Sequence, residues 1–410
     1  MTMEKKKPEI RFNGFEGEWV RHSLNYYLTV SSEKNQEGQY SKYDIYSVSR
    51  EYGVINQIEY QGKSFAGASL LNYGVVQTED IVYTKSPLKS QPYGIIKVNS
   101  GKSGLVSALY GVFHPQEPVC SYFVQVYFDL DHRLNSYLRP LVNKGAKNTL
   151  LISDADALQG EVIFPSRDEQ EKLVSFFTTL DKLIAKLEAK LDKLRKLKQA
   201  LLEKMFVNVN GGGYETPEIR FKGYTDKWQV KELGELAIFN PPNQPLKELF
   251  YYIDLESVEK GFLKIKEQVT KRMAPSRAQR TLEFNDILFQ TVRPYLQNHY
   301  LFKKNTQNNQ WVASTGYALL RPKIYPELLY TMLLSEGFMQ EVMQRCTGST
   351  YPAINSKKMT DIKVGCSSAQ MEQQLIGDLF ILLDNQLNKT STKVMKLRNI
   401  KQSLLQKMFA

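Results

Sequence analysis

Two stretches of this chain carry an apolar residue at strict intervals of seven. In 169–206, which lacks proline and glycine, Phe177, Ile184, Leu191, Lys198 and Met205 share one seam position. Leu173, Leu180, Leu187, Leu194 and Leu201 share the other. In 372–409 the same register gives Phe380, Leu387, Val394, Lys401 and Met408, with Ile376, Leu383, Thr390, Leu397 and Leu404. Sustained for over four heptads, the pattern predicts two coiled-coil helices, each about 50 Å long. Each has a partner of matching length in the same chain, so pairing within the chain is the simplest outcome. Lys198 and Lys401 interrupt matching seams, a device that fixes register and orientation. The heptads alone leave the direction open. A pseudo-twofold relation between the halves would make the helices antiparallel.

Between these stretches the period shortens. Short apolar and aromatic runs bounded by turn residues predict strands at 43–48, 80–84, 93–98 and 119–128 in the first half, and at 251–255, 286–291, 299–302 and 317–320 in the second. The class expected is α+β, with β-rich domains at 20–165 and 229–366.

The two halves open and close alike. Pro8, Glu9, Ile10, Arg11 and Phe12 return as Pro217, Glu218, Ile219, Arg220 and Phe221, and the register holds through Gly14/Gly223 and Trp19/Trp228. Leu194, Lys198, Gln199, Leu201, Lys204, Met205 and Phe206 return as Leu397, Lys401, Gln402, Leu404, Lys407, Met408 and Phe409. The interiors share only traces: Asp80, Ile81, Val82 and Tyr83 resemble Asp286, Ile287, Leu288 and Phe289, and Gly145 matches Gly348. The repeat is too long for a solenoid. It divides the chain into domain 1 (1–168), helix 1 (169–207), a glycine-rich joint (208–216) holding Gly211, Gly212 and Gly213, domain 2 (217–371) and helix 2 (372–410).

A net charge of +11 directs attention to a polyanion, with DNA or RNA the default. Lys and Arg suit phosphates, while Arg, Gln and Asn also read base edges. In the second half the candidates are Lys271, Arg272, Arg277, Arg280, Gln290, Arg293, Gln297, Asn298, Lys303 and Tyr351. In the first they are Lys85, Lys89, Tyr93, Lys102, Lys147 and Asn148. Three cysteines without CxxC spacing predict a reduced, cytoplasmic chain, and no apolar run is long enough for a membrane span.

Catalytic patterns fail on inspection. Asn240, Pro241, Pro242 and Asn243 lack the aromatic fourth residue of the adenine-methyltransferase motif, so they read as a turn. Gly101, Lys102 and Ser103 lack the first glycine of a phosphate-binding loop. The four histidines, His22, His114, His132 and His299, have no metal-ligand spacing. The expectation is a binder with no catalytic residue and no metal.

The repeated lead-in PEIRFxGxxxxW, the Glu169-Gln170 and Glu372-Gln373 pairs at the helix starts, and the matching helix ends together make the chain resemble the specificity subunit of type I restriction–modification systems. The second helix departs from the pattern in that Val364, Gly365, Cys366 and Ser367 precede it without a proline. The resemblance implies two target-recognition domains in pseudo-twofold arrangement, each reading half of a bipartite duplex DNA site. It implies long helices that pair antiparallel, space the half-sites and dock two modification (methyltransferase) subunits. S-adenosylmethionine, ATP and magnesium would be bound by those and by restriction/translocase subunits, with no cofactor in this chain. An adaptor joining two protein-binding domains, an enzyme fragment without its catalytic domain, and a modification-only specificity subunit are the other readings. A salt-dependent DNA footprint separates the first of these from a DNA reader.

Overall fold

The computed structural model describes residues 7–67, 69–87, 91–144, 150–207, 209 and 216–409. The Gly211 to Gly213 joint lies outside the described residues. The heptad segments form helices Arg167–Lys204 and Gln370–Lys407. The chain divides into unit 1, Met1–Leu187 with Lys393–Ala410, and unit 2, Glu188–Thr392. Each unit therefore contains the start of one long helix and the end of the other.

Within each unit these two helix pieces run antiparallel. In unit 1, Phe177 packs on Phe409 with ring centroids 5.8 Å apart, and Asp181, one turn later, meets Lys401 at 2.9 Å. In unit 2, Phe206 packs on Phe380 at 5.9 Å, and Lys198 reaches Asp384 at 2.5 Å. As one residue number rises the other falls. The seam lysines are thus used alike, each closing on an aspartate of the other helix. Lys401 has a second partner in Asp129 at 3.0 Å, which also meets Lys97. Burial alone would lift the Asp129 carboxyl, but the Lys97 and Lys401 charges outweigh it and hold it below the usual range. Leu173, Phe177, Ile184, Leu191, Ile376, Phe380, Leu383 and Val394 are buried. Leu180, Leu187, Leu194, Leu387, Leu397 and Leu404 are half-buried.

The repeated lead-in is a clip. In unit 1 the Ile10 N–H donates to the Lys407 carbonyl at the end of the last helix. Arg11 makes a two-pronged pair (2.8 and 2.7 Å) with Glu169 at the start of the first. In unit 2 the Ile219 N–H donates to the Lys204 carbonyl, and Arg220 grips Glu372 at 2.5 and 2.9 Å. Gln170 and Gln373 serve the same joint, both as donors and as acceptors. Gln170 accepts from Cys120 N–H and donates to the Pro118 and Pro165 carbonyls; Gln373 accepts from Tyr325 N–H and donates to the Ser367 carbonyl. The charged and amide side chains repeat because each unit must tie a helix start, a helix end and a sheet domain at one place.

The central sheets have one plan. In unit 1 the strand order is Leu28–Val30, Tyr110–Pro115, Ile81–Thr84, Ile96–Val98; in unit 2 it is Ala237–Phe239, Tyr317–Pro322, Ile287–Gln290, Tyr300–Leu301. All neighbours in both are antiparallel. The turn before the second-last strand is also shared. Glu79 and Asn285 both take positive φ (69° and 73°), and the following Asp80 and Asp286 accept from Gln77 and Glu283 N–H. The chemistry set against those aspartates has diverged. Asp80 meets His114 at 2.7 Å, whereas Asp286 receives two bonds from Arg321.

Beyond this frame the units part. Unit 2 adds a second four-stranded sheet, Gln268–Thr270, Leu249–Ile253, Trp311–Ser314, Ala278–Thr281, whose middle pair is parallel. Unit 1 has instead two separate two-stranded pairs, Tyr46–Ser49 with Gly53–Asn56 and Gly74–Val76 with Gly104–Val106.

The strand expected at 119–128 is helical, Ser121–Tyr127. Its aromatic and β-branched residues suggested a strand. The buried apolar positions, however, are Val119, Cys120, Phe123, Val124, Tyr127 and Phe128, a spacing of three and four that fits one face of a helix.

Candidate nucleic-acid interface

The candidate residues of unit 2 fall into three groups. Lys271, Arg272 and Arg277 lie on the exposed loop between strands Gln268–Thr270 and Ala278–Thr281. Among the described residues none of the three has an ion pair. Lys264, Lys266 and Lys303, from the same basic stretch, are already neutralised by Glu259, Asp254 and Glu327 at 2.5 to 2.6 Å. Arg280 is half-buried; burial pushes its guanidinium below the ordinary value, and its buried Nε has no partner among the described residues. It is poorly placed for a phosphate.

The third group surrounds a cleft of about 460 Å³ lined by Gln290, Arg293, Asn298 and Tyr351 together with Leu255, Glu256, Val258, Glu259, Val292 and Leu296. Four of the sixteen candidates meet here, from segments up to 61 residues apart. Gln297 is exposed beside it. The strand Ile287–Gln290 brings Gln290 to the cleft at its end. Gln290 N–H donates to His299 Nδ1 at 3.0 Å, which places the proton of the neutral imidazole on Nε2. His299 is fully buried and stacked on Phe289 at 3.9 Å, and desolvation pushes its pKa down to about 3. It serves the fold as a buried hydrogen-bond acceptor.

That depressed value has a consequence with a definite sign. Above pH 6.5 the ring is neutral in both folded and unfolded chains. Between 6.5 and about 3 only the unfolded chain takes the proton, so unit 2 is expected to lose roughly 1 kcal/mol of stability per pH unit on acidification. Thermal melts from pH 7 to 5 should show this slope. His299→Gln, which keeps an acceptor but does not titrate, should flatten it; an equal slope in both would place the titration elsewhere.

In unit 1 the candidates are less gathered. Lys85 is paired with Asp154 at 2.7 Å, Tyr93 sits in the hairpin whose carbonyl accepts from Tyr83 OH, and Lys102 is exposed between strands Ile96–Val98 and Gly104–Val106. Lys89, Lys147 and Asn148 lie outside the described residues. Asn240 takes positive φ (45°) in a loop, and its side chain bonds Ser356 and Leu319 N–H, which agrees with a turn. Among the described residues no group of His, Cys, Asp and Glu is arranged to hold a metal, and no helix is long and apolar enough to cross a membrane.

The apolar and acidic members of the cleft, Leu255, Glu256, Val258, Glu259 and Leu296, escaped sequence reading because nothing in their local pattern marks them. The one available signal was Arg293-Pro294 and Tyr351-Pro352, two side chains each fixed by a following proline.

No family model matches the sequence, and no curated protein matches it. Among solved structures, the S subunit of a type I restriction–modification system from M. genitalium is similar with a TM-score of 0.63 over 98% of this chain and 99% of that one, at 15% identity. A structure described as the basis of complex assembly and conformational transition of the type I restriction–modification system has TM-score 0.49, 13% identity and coverage of 95% and 97%. The HsdS subunit from Thermoanaerobacter tengcongensis has TM-score 0.44, 14% identity and coverage of 95% and 96%. The first likeness establishes the fold: this chain is an α+β protein built as a type I S subunit is built. The resemblance carried by the lead-in and helix-end motifs points to the same class.

Proposed function

We propose that this chain is the DNA-recognition subunit of a type I restriction–modification complex. It is not itself a catalyst, and each unit reads one half of a bipartite duplex site. The observation that carries this reading is the pair of central sheets with one strand order and different surface chemistry, on a chain whose fold matches an S subunit over nearly its whole length. One frame with two interiors suits two half-sites that differ in sequence. The long helices carry the modification subunits and set the separation of the half-sites. Methylation of adenine, with S-adenosylmethionine, and ATP-driven translocation and cleavage, with magnesium, belong to partner subunits. This chain's residues bind and orient the duplex.

Within unit 2 the division of labour follows from charge. Lys271, Arg272 and Arg277, exposed and without an ion pair among the described residues, suit phosphates and hold the duplex in register without reading it. The Arg293 cleft, whose lining includes the exposed Glu256 carboxylate, suits a base edge better than a phosphate.

The test is methylation mapping of DNA exposed to the complex of this chain with its modification subunits, together with binding measured against salt. A single two-part motif is expected, with log Kobs falling linearly in log salt. Replacing Lys271, Arg272 and Arg277 by alanine should reduce the slope by about 2 to 3 and leave the motif unchanged, since each phosphate contact contributes about 0.9. Salt-independent binding, or no methylated motif, would favour a protein adaptor instead.

A further inference from the structure

Arg293 is held in a way that its role in the fold does not require. Its backbone takes the left-handed conformation, φ 54°, which is uncommon for a residue with a side chain and is stored where surrounding structure enforces it. The enforcement is visible. Arg293 N–H donates to the Pro352 carbonyl at 2.7 Å, Ile354 N–H donates to Thr291, and Thr347 and Ala353 exchange two backbone bonds. Two loops are thereby sewn together, and the Arg293 guanidinium lies over the exposed Tyr351 ring at 4.3 Å. Among the described residues the guanidinium makes no hydrogen bond or ion pair, and its Nε is buried without a partner. Gln290 lines the same cleft and is 4% exposed. Its amide nitrogen is used by the Val292 carbonyl, and among the described residues its buried Oε1 has no donor.

Given the reading that this chain recognises DNA, we propose that the cleft of Arg293, Tyr351 and Gln290 reads one G·C base pair in the major groove, with Arg293 taking the guanine. An arginine has five donors and no acceptor, and it matches the O6 and N7 acceptors of guanine two-pronged. Adenine puts an amino donor beside N7, which a guanidinium would meet donor to donor. The other half of a G·C pair presents the cytosine amino group, a donor, and the exposed Glu256 carboxylate on the lining is an acceptor for it. That carboxylate disfavours a phosphate in the same place. Stacking on Tyr351 fixes the fork before the duplex arrives, so little side-chain freedom is lost on binding.

The complex of this chain with its modification subunits is offered a library of duplexes randomised across the site, and methylation is read molecule by molecule. The wild-type complex is expected to require G·C at one position in the half-site of unit 2. Arg293→Lys keeps the charge but loses the fork and the stack. Discrimination at that one pair should fall on the order of tenfold or more, while every other position keeps its preference. Arg293→Ala should do the same, with melting curves recorded for both; the lysine variant carries the test if the alanine variant does not fold. Preferences unchanged at every position, or weakened alike at all of them as loss of a phosphate contact would do, overturn the proposal while the bipartite reading stands. A wild-type complex with no two-part motif overturns that reading and the proposal with it.

Discussion

Replacing Arg220 by alanine is expected to lower the melting temperature of unit 2 by roughly 6 to 12 °C. Glu372 is fully buried and loses both bonds from the guanidinium. Removing one partner of a buried pair costs about 3 kcal/mol, and a unit of this size shifts about 2 to 4 °C per kcal/mol. Acid should reveal the same pair. Burial alone would raise the Glu372 carboxyl, yet the Arg220 hydrogen bonds and charge hold it below its ordinary 4.5. A folded value below the unfolded one means that the contribution is complete above pH 4.5 and is lost as pH falls through the folded value. In Arg220→Ala that acid-side loss should disappear, and adding Glu372→Gln should restore part of the melting temperature at pH 7. Calorimetry at pH 7 and pH 4 measures both. A wild-type melt in Arg220→Ala would mean that the backbone bond of Ile219 alone holds the helix ends.

Phe409→Ala should be as damaging to unit 1. The ring stands among Trp19, Phe123, Tyr127 and Phe177 at 5.8 to 6.1 Å, with the Arg133 guanidinium 5.0 Å from its centroid. Truncating a buried phenylalanine costs about 3 to 5 kcal/mol, part of it the cavity left behind. The stranded guanidinium adds to this, because Arg133 is itself largely desolvated and donates to the Tyr127 and Leu405 carbonyls. Denaturant titration of the full chain should show the loss. A change under 1 kcal/mol would mean that neighbouring rings collapse into the space.

The helices were legible because a heptad is a local signal. The expected spans of 169–207 and 372–410 differ from Arg167–Lys204 and Gln370–Lys407 by no more than three residues at either end. The strands at Asp80 and Asp286 were legible because a turn aspartate precedes an apolar run. The segment at 119–128 is helical despite strand-type residues because its buried apolar positions fall three and four apart. The lead-in motif was visible as a repeat, but its purpose was not, since Arg11 meets a residue 158 positions away. The candidate site was partly legible. Arg293, Gln290, Asn298 and Tyr351 were singled out by chemistry, but only the fold brings them to one cleft. Lys303 looked equally suitable and is occupied by Glu327. Net charge in a sequence window does not tell which ammonium groups are left over.

The assignment of helix ends to units also bears on how the protein is made. Unit 2 draws on one unbroken stretch, Glu188–Thr392, whereas unit 1 needs Lys393–Ala410 as well as Met1–Leu187. Until those late residues leave the ribosome, Phe177 has no Phe409 and Asp181 no Lys401, so the apolar faces of the first-made half stay open throughout synthesis of the second. The usual order, in which the N-terminal part of a nascent chain closes first, is reversed. The half that emerges early is the last to be completed.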